Sequence, residues 1–432
     1  METPIKTMIL RGGDGRLHAD GRLHADGVLA RAAAILREGG LCLIPTETVY
    51  GIACDAGNPC ALARLRELKS RPPEKPFSVL MRELPRVHDH NINCDDVNDD
   101  IDKLARAFTP GPLTVVLPRG GGEAAGGGVP EGSVGVRVPA HADTLELLRL
   151  CGFPLAAPSA NAAMDEPPVS FADALSRFDG KVECAIDGGD CARGVESTIL
   201  DMTAEPPKIL RRGAISKRAL EEALGKKIDG MTVIGITGGS GAGKTTAMRV
   251  LKTLGAEAID CDEVYNGLLT RDDMLSKLSE RFPGAVSGES GNRTLDKKAL
   301  GEIVFRDERA LADLNAITHG CVGREVARLL REYQRTGSKL AAVDAIALIE
   351  SGRAEACDLT VAVTAPEEAR VKRIMERDGI SEEYARARVS AQKPEEFYRA
   401  GCDDTLINDG GDREFERRCL EYFTKKLQLK RR

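Results

Sequence analysis

Apolar residues along this chain fall into two recurring patterns. Short unbroken apolar runs end at Gly, Pro or Asn, and predict buried strands. Longer stretches return an apolar side chain every three or four positions, and predict helices packed by one face. In order, residues 28–38 predict an amphipathic helix that stops at Gly39-Gly40, a C-cap pair. Leu41-Cys42-Leu43-Ile44 predicts a strand. Asn58-Pro59 opens a helix through residue 68, a cap followed by proline in the first turn. Strands are expected at 77–81, after a turn within 110–117, and at 133–139, with a glycine-rich hairpin tip at 120–128 and further strand ends in 196–201 and 209–213. Residues 214–227 predict a helix with Ile215, Leu220, Ala223 and Leu224 on its apolar side, followed by a brief polar connection to Gly230.

At Met231 the chain begins again. Val233-Ile234-Gly235-Ile236 predicts a strand, and a helix follows the glycines up to residue 254. Strands at 257–260, 340–346, 359–364 and 405–408 then alternate with helices at 296–305, 317–335, 366–378, 381–392 and 413–429. That alternation predicts a parallel sheet with helices on both faces. The domain boundaries expected are 1–213, a linker helix at 214–230, and 231–432.

Composition narrows the classes without choosing among them. A length of 432 residues calls for two or three domains. Hydrophobic content of 42% with 30% charged residues excludes a disordered chain, and the net charge of −6 gives no general attraction to nucleic acid or anionic membrane. No apolar run approaches the length of a membrane span, and Met1-Glu2-Thr3-Pro4 lacks a secretion pattern, so a cytoplasmic location is expected. The twelve cysteines form no C-x-x-C and are expected to be reduced. Aromatic residues are only 4% and Trp is absent, which leaves little for stacking single-stranded bases. Residues 15–26 repeat Gly-Arg-Leu-His-Ala-Asp in tandem; a surface duplication explains this better than a metal site on His18, His24, Asp20 and Asp26.

The sharpest chemistry lies in Gly238-Gly239-Ser240-Gly241-Ala242-Gly243-Lys244-Thr245-Thr246. This is G-x-x-x-x-G-K-[ST], with a strand before it and a helix after it. Backbone N–H groups of Gly241, Ala242, Gly243, Lys244, Thr245 and Thr246 are expected to cradle the phosphates of ATP at the helix N-terminus. Lys244 should reach the terminal phosphates, and the Thr245 hydroxyl a Mg²⁺ ion. In the first half, Lys69, Arg71 and Lys75 cluster at a helix C-terminus, where on their own they would simply complement its dipole. Further strand ends offer Arg137, Ser159, Asn161, Ser197 and Arg211, the residue types a polyanion with a polar partner needs.

Taken together, Pro45-Thr46-Glu47-Thr48-Val49-Tyr50-Gly51, Lys69-Ser70-Arg71-Pro72, Pro110 to Thr114, Val136-Arg137-Val138-Pro139, Pro158 to Asn161, Glu196-Ser197-Thr198 and Arg211-Arg212-Gly213 resemble the YrdC-like domain of threonylcarbamoyl-AMP synthases. The resemblance implies an open, twisted α/β sheet with a basic concave face. It also implies synthesis of a threonylcarbamoyl adenylate from L-threonine, bicarbonate and ATP, which feeds modification of adenosine 37 in tRNA by downstream transferase machinery. On the same basis Lys69, Arg71, Lys75, Ser133, Asn161 and Arg211 should face ATP, and Thr48, Arg137, Ser159 and Ser197 the threonine. Residues 77–81 carry no histidine, which suggests the short form of the family. A double-stranded RNA-binding module, with possible contact to tRNA, is the alternative for this half.

Residues 232–425 resemble dephospho-CoA kinase through Thr237 to Thr245, Ile259-Asp260-Cys261-Asp262-Glu263, Ile317-Thr318-His319, Leu348 to Gly352, Arg377 to Ser381 and Ala391-Gln392. No N-K-x-D occurs, which excludes a GTPase. The resemblance implies phosphorylation of the 3′-hydroxyl of dephospho-CoA, with Asp262 as base, Asp344 near the metal, and Arg373 and Arg377 on a helical lid. On spacing alone, that arginine pair is equally a surface ion-pair stripe. Asn266 stands where arginine is usual, Gly320 where proline is usual, and 344–347 lacks the usual proline. Another nucleoside or nucleotide kinase, or a pseudokinase, is the alternative for this half.

Overall fold

The computed structural model of the chain describes residues 5–11, 26–72, 76–84, 98–118, 132–162, 165–289, 291–304 and 307–428. Most of the tandem repeat, the glycine-rich 120–128 segment and Lys75 lie outside them. The chain divides into two compact units, one of residues 1–215 with 219–229, the other of residues 216–218 with 230–432. Ile215, Leu220, Leu224 and Ile228, from the helix Lys217–Leu224 and its flanks, lie in the core of the first unit.

The first unit is built on one open ten-stranded sheet. Its spatial order is Met8–Arg11, Cys184–Asp187, Cys42–Ile44, Gly51–Asp55, Leu155–Ala156, Val79–Leu80, Ser133–Arg137, Leu113–Pro118, Thr198–Asp201, Lys208–Arg211. Pairings are mixed: Cys42–Ile44 runs antiparallel to Gly51–Asp55 and parallel to Cys184–Asp187. Alternate residues of one strand enter different cores, Leu43 in one and Cys42 with Ile44 in another. That is how a strand buried on both faces reads as an unbroken apolar run. The helix Pro59–Leu68 starts as its sequence predicts, with the Asn58 side chain accepting from the N–H groups of Cys60 and Ala61. Helices Asn98–Phe108, Ala142–Cys151 and Phe171–Phe178 were not anticipated.

The second unit carries a five-stranded, wholly parallel sheet in the order Glu257–Asp260, Leu340–Asp344, Thr232–Thr237, Leu359–Thr364, Asp404–Ile407. Val233 faces one core, and Ile234 and Ile236 the other, so helices cover both faces. From Thr232–Thr237 the chain goes to one edge, returns beside its start, then crosses to the other side. The C-terminal ends of the central strands therefore meet where the winding reverses, the place such sheets reserve for ligands. The lid expected at 366–392 is the helix pair Glu367–Asp378 and Glu382–Ser390, packed through Val371, Ile374, Ala385 and Val389. Helix Glu308–Arg335 is longer than the sequence predicts, and Cys261–Leu268, Asp272–Arg281 and Glu395–Ala400 are further helices not anticipated. Among the described residues, no helix is long and apolar enough to cross a membrane, and the described cysteines are free.

Two candidate active sites

In the first unit a cavity open to solvent is lined by three arginines and a ring of hydroxyls. Six of the predicted residues meet there: Thr48, Arg71, Arg137, Ser159, Ser197 and Arg211. They come from loops at strand ends far apart in sequence, which the mixed sheet gathers. Arg137 is only 7% exposed. Its guanidinium donates to Glu47 Oε1 at 2.7 Å, to Thr48 Oγ1 at 2.9 Å and to the Gly111 carbonyl at 3.2 Å. Glu47 Oε2 accepts from the Ala140 N–H at 3.0 Å, so both carboxylate oxygens are engaged. Thr48 Oγ1 lies 2.9 Å from Thr46 Oγ1, and Thr46 Oγ1 donates to the Val49 carbonyl, which closes the turn on itself.

Arg211 also lines the cavity. It donates to Glu196 Oε1 at 2.6 Å and to the Ser197 carbonyl and Oγ at 3.0 and 2.9 Å, while Ser197 Oγ lies 2.8 Å from Thr114 Oγ1. Lys69 is buried; its ammonium donates to the Ser159 carbonyl at 2.7 Å and to the Asn161 carbonyl. Ser159 Oγ donates to Asn161 Oδ1 at 2.5 Å. Burial pushes Lys69 down to about 8, with Arg71 adding to the effect. Burial also lowers Arg71, aided by Arg66 and Arg211, and lowers Arg211 against the opposing pull of Glu196. Arg71 and Arg211 are desolvated cations facing one cavity, an arrangement that binds polyanions tightly. Lys69, Asn161 and Ser133 are not among the lining residues: the first two are tied to the Ser159 loop beside the cavity, and Ser133 begins its strand opposite Pro118, at the far end of the ladder from Arg137. Glu47 and Glu196 escaped the sequence reading, although both sit inside motifs it used.

In the second unit the glycine-rich loop runs from Thr232–Thr237 into helix Lys244–Thr253. Gly238 has φ +135°, and a Cβ there would lie 2.1 Å from the Val363 carbonyl oxygen. Only glycine fits. Lys244 Nζ stands 4.0 Å from Asp344 Oδ1. Strand register places Asp344 beside Asp260 on one side and Ile236 on the other, all at C-terminal strand ends. Burial pushes Asp344 up to about 6, against the pull of Lys244 and with Asp260 and Asp262 adding to the rise. Asp260 is the N-cap of the next helix, accepting from the N–H groups of Asp262 and Glu263; Asp262 follows in the first turn.

Arg373 reaches the loop, donating to the Gly241 carbonyl at 3.2 Å and to Asn408 Oδ1 at 3.1 Å. Arg377 does not: it is bonded to Asp378 on the surface. Arg370, Gln392 and Asn408, none of them anticipated as site residues, also contact the loop.

Comparison with known proteins follows the same division. A family model described as dephospho-CoA kinase matches residues 232–414, and one described as telomere recombination, of the Sua5/YciO/YrdC group, matches residues 34–213. Dephospho-CoA kinase of Geobacter sulfurreducens is 38% identical over 202 residues, 46% of this chain and 100% of that protein. A Mycobacterium tuberculosis protein provisionally named as a threonylcarbamoyl-AMP synthase is 34% identical over 209 residues, 48% of this chain and 93% of that protein. The chain joins a Sua5/YrdC domain to a dephospho-CoA kinase domain. The threonylcarbamoyl-AMP synthase of Pyrococcus abyssi is 38% identical over 197 residues, 45% of this chain but 56% of that protein. A synthase from Bacillus subtilis is also matched over 56% of its length, so the chain spans about half of these two curated relatives. The Sua5/YrdC domain holds the arginine-lined cavity, and the kinase domain the phosphate loop.

Proposed function

We propose that the chain is a bifunctional enzyme. Its first half makes L-threonylcarbamoyladenylate from L-threonine, bicarbonate and ATP, and its second half phosphorylates the 3′-hydroxyl of dephospho-CoA. What carries the first reading is the cavity in which Arg71, Arg137 and Arg211 converge with Thr48, Ser159 and Ser197. The amine of threonine takes up CO₂ as a carbamate, a carbamate oxygen attacks the α-phosphorus of ATP, and pyrophosphate leaves. Charge grows on the phosphates during that step, and fixed, largely buried cations stabilise it. Lys69, Arg71, Lys75, Asn161 and Arg211 are the proposed ATP side, and Thr48, Arg137, Ser159 and Ser197 the threonine side. The proposed fate of the product is adenosine 37 of tRNA, by way of separate transferase machinery, in the cytoplasm.

What carries the second reading is the phosphate loop with Lys244 set against Asp344. Asp262 takes the proton of the acceptor hydroxyl, whose oxygen attacks the γ-phosphorus, and ADP leaves. Arg373 is placed to meet the charge that develops on the transferring group. Thr245 and Asp344 would hold Mg²⁺, which neutralises phosphate charge when bound. Their hard oxygen donors suit that ion. Among the described residues no three His, Cys, Asp or Glu side chains are grouped to hold a metal alone. The test is purified protein with ATP and Mg²⁺, given threonine plus bicarbonate in one vessel and dephospho-CoA in another. Threonine-dependent pyrophosphate release and dephospho-CoA-dependent ADP formation support the proposal. A protein that binds RNA and releases no pyrophosphate, or that phosphorylates a nucleoside and leaves dephospho-CoA untouched, refutes the corresponding half.

A further inference from the structure

One residue of the phosphate loop is held from outside with unusual completeness. Ser240 donates its N–H to Gln392 Oε1 at 2.9 Å, and its hydroxyl oxygen accepts from Gln392 Nε2 at 2.8 Å. Its carbonyl accepts from Arg370 Nε at 3.0 Å, and Arg370 donates again to Gln392 Oε1 at 2.6 Å. Every polar group of Ser240 is thus bonded to two side chains of the lid region, one on helix Glu367–Asp378 and one just past helix Glu382–Ser390. Ser240 itself is buried, at 6% exposure. The packing is close enough to demand glycine: Gly241 has φ +77°, and a Cβ there would lie 2.6 Å from the Arg370 carbonyl oxygen.

We infer that Gln392 and Arg370 are positioning residues that lock the lid helix pair to the phosphate loop, so that ATP bound by the loop orders the lid. This rests on the phosphate-loop reading above. The physical reason is connectivity. The Gln392 amide accepts and donates on the same residue, so Ser240 cannot shift without breaking both bonds or carrying Gln392 with it. Arg370 ties the other lid helix to the same point. Arg373 sits one turn along from Arg370 and bonds to Gly241. The clamp therefore also sets where Arg373 stands relative to the phosphates. A network whose members are all satisfied acts as a unit, and deleting one member loosens the rest.

The experiment is hydrogen exchange on the full chain, with and without ATP and Mg²⁺ and with no acceptor. In the wild-type protein ATP should slow exchange both in the loop, 238–246, and in the lid, 367–390. In Gln392→Leu, loop protection should persist while lid protection falls at least about tenfold, a change of about 1.4 kcal/mol in the coupling. Gln392→Glu keeps an acceptor for the Ser240 N–H and for Arg370, so it should restore lid protection. In steady state Gln392→Leu should lower kcat more than it raises the KM for ATP. If ATP protects neither segment in the wild type, the phosphate-loop reading itself fails. If ATP protects loop and lid equally in Gln392→Leu, the loop reading stands and the coupling is overturned. Should Gln392→Leu fail to fold, Ser240→Ala removes one of the two Gln392 bonds. It should weaken lid protection in the same direction, and unchanged lid protection there overturns the inference.

Discussion

Replacing Glu47 with alanine tests how the first cavity is built. Glu47 and Arg137 pair at 2.7 Å with side chains only 10% and 9% exposed. The substitution leaves the Arg137 guanidinium buried with only Thr48 Oγ1 and the Gly111 carbonyl as partners, and takes the acceptor from the Ala140 N–H. Removing one member of a buried ion pair costs about 3–5 kcal/mol, because the other charge stays desolvated and uncompensated. For a unit of this size, with about 2–4 °C per kcal/mol, its unfolding midpoint should fall by roughly 6–20 °C. Scanning calorimetry of the full chain measures this, with the kinase-domain transition recognised by its rise on adding dephospho-CoA. Threonine-dependent pyrophosphate release should collapse in the same variant while phosphoryl transfer persists. Pairing the change with Arg137→Met, as Glu47→Leu/Arg137→Met, removes both charges and should restore most of the stability but none of the synthase activity. A Glu47→Ala midpoint within about 2 °C of wild type, or a double variant no more stable than the single one, would show that the buried pair does not hold the cavity wall together.

Three further outcomes follow from the same geometry. Lys244→Ala should lower phosphoryl transfer by at least about 10²-fold and leave pyrophosphate release unchanged, since the loop and the cavity are separate sites. Lys69 is depressed by burial from 10.5 to about 8, so across that interval the unfolded chain binds a proton the folded one does not. Stability of the first unit should therefore gain a contribution as pH rises from about 8 to 10.5, a gain absent in Lys69→Met, while synthase activity declines as pH rises through about 8, where the folded protein loses the cation. Chemical denaturation and initial rates at a series of pH values check both. Asn58→Ala removes the acceptor for the Cys60 and Ala61 N–H groups and should cost about 1 kcal/mol, visible as a drop of a few degrees in the same calorimetric transition.

Features written in local chemistry were legible in the sequence: the Asn58-Pro59 helix start, the glycine loop between strand and helix, and the parallel alternation of the second half. Helix Asn98–Phe108 carries a local signal too, with Ile101, Leu104, Ala105 and Phe108 spaced at three and four and acids in the first turn. The partnerships inside the sites are a different matter. Glu47 and Arg137 are 90 positions apart, and nothing in either segment names the other; only the sheet order brings them together. The lid helix carries Arg370, Arg373 and Arg377 on one face. Periodicity cannot say that the first two meet the loop while Asp378, next in sequence, takes the third.

On the proposed function one polypeptide holds two independent pockets for a nucleoside triphosphate, and counting bound nucleotide tests this. Equilibrium binding of a non-hydrolysable ATP analogue with Mg²⁺ should saturate at two molecules per chain in the wild type. In Lys244→Ala it should saturate at one, with the remaining site tightened by L-threonine and bicarbonate. Saturation at one molecule in the wild type, or loss of both sites in Lys244→Ala, would contradict the account.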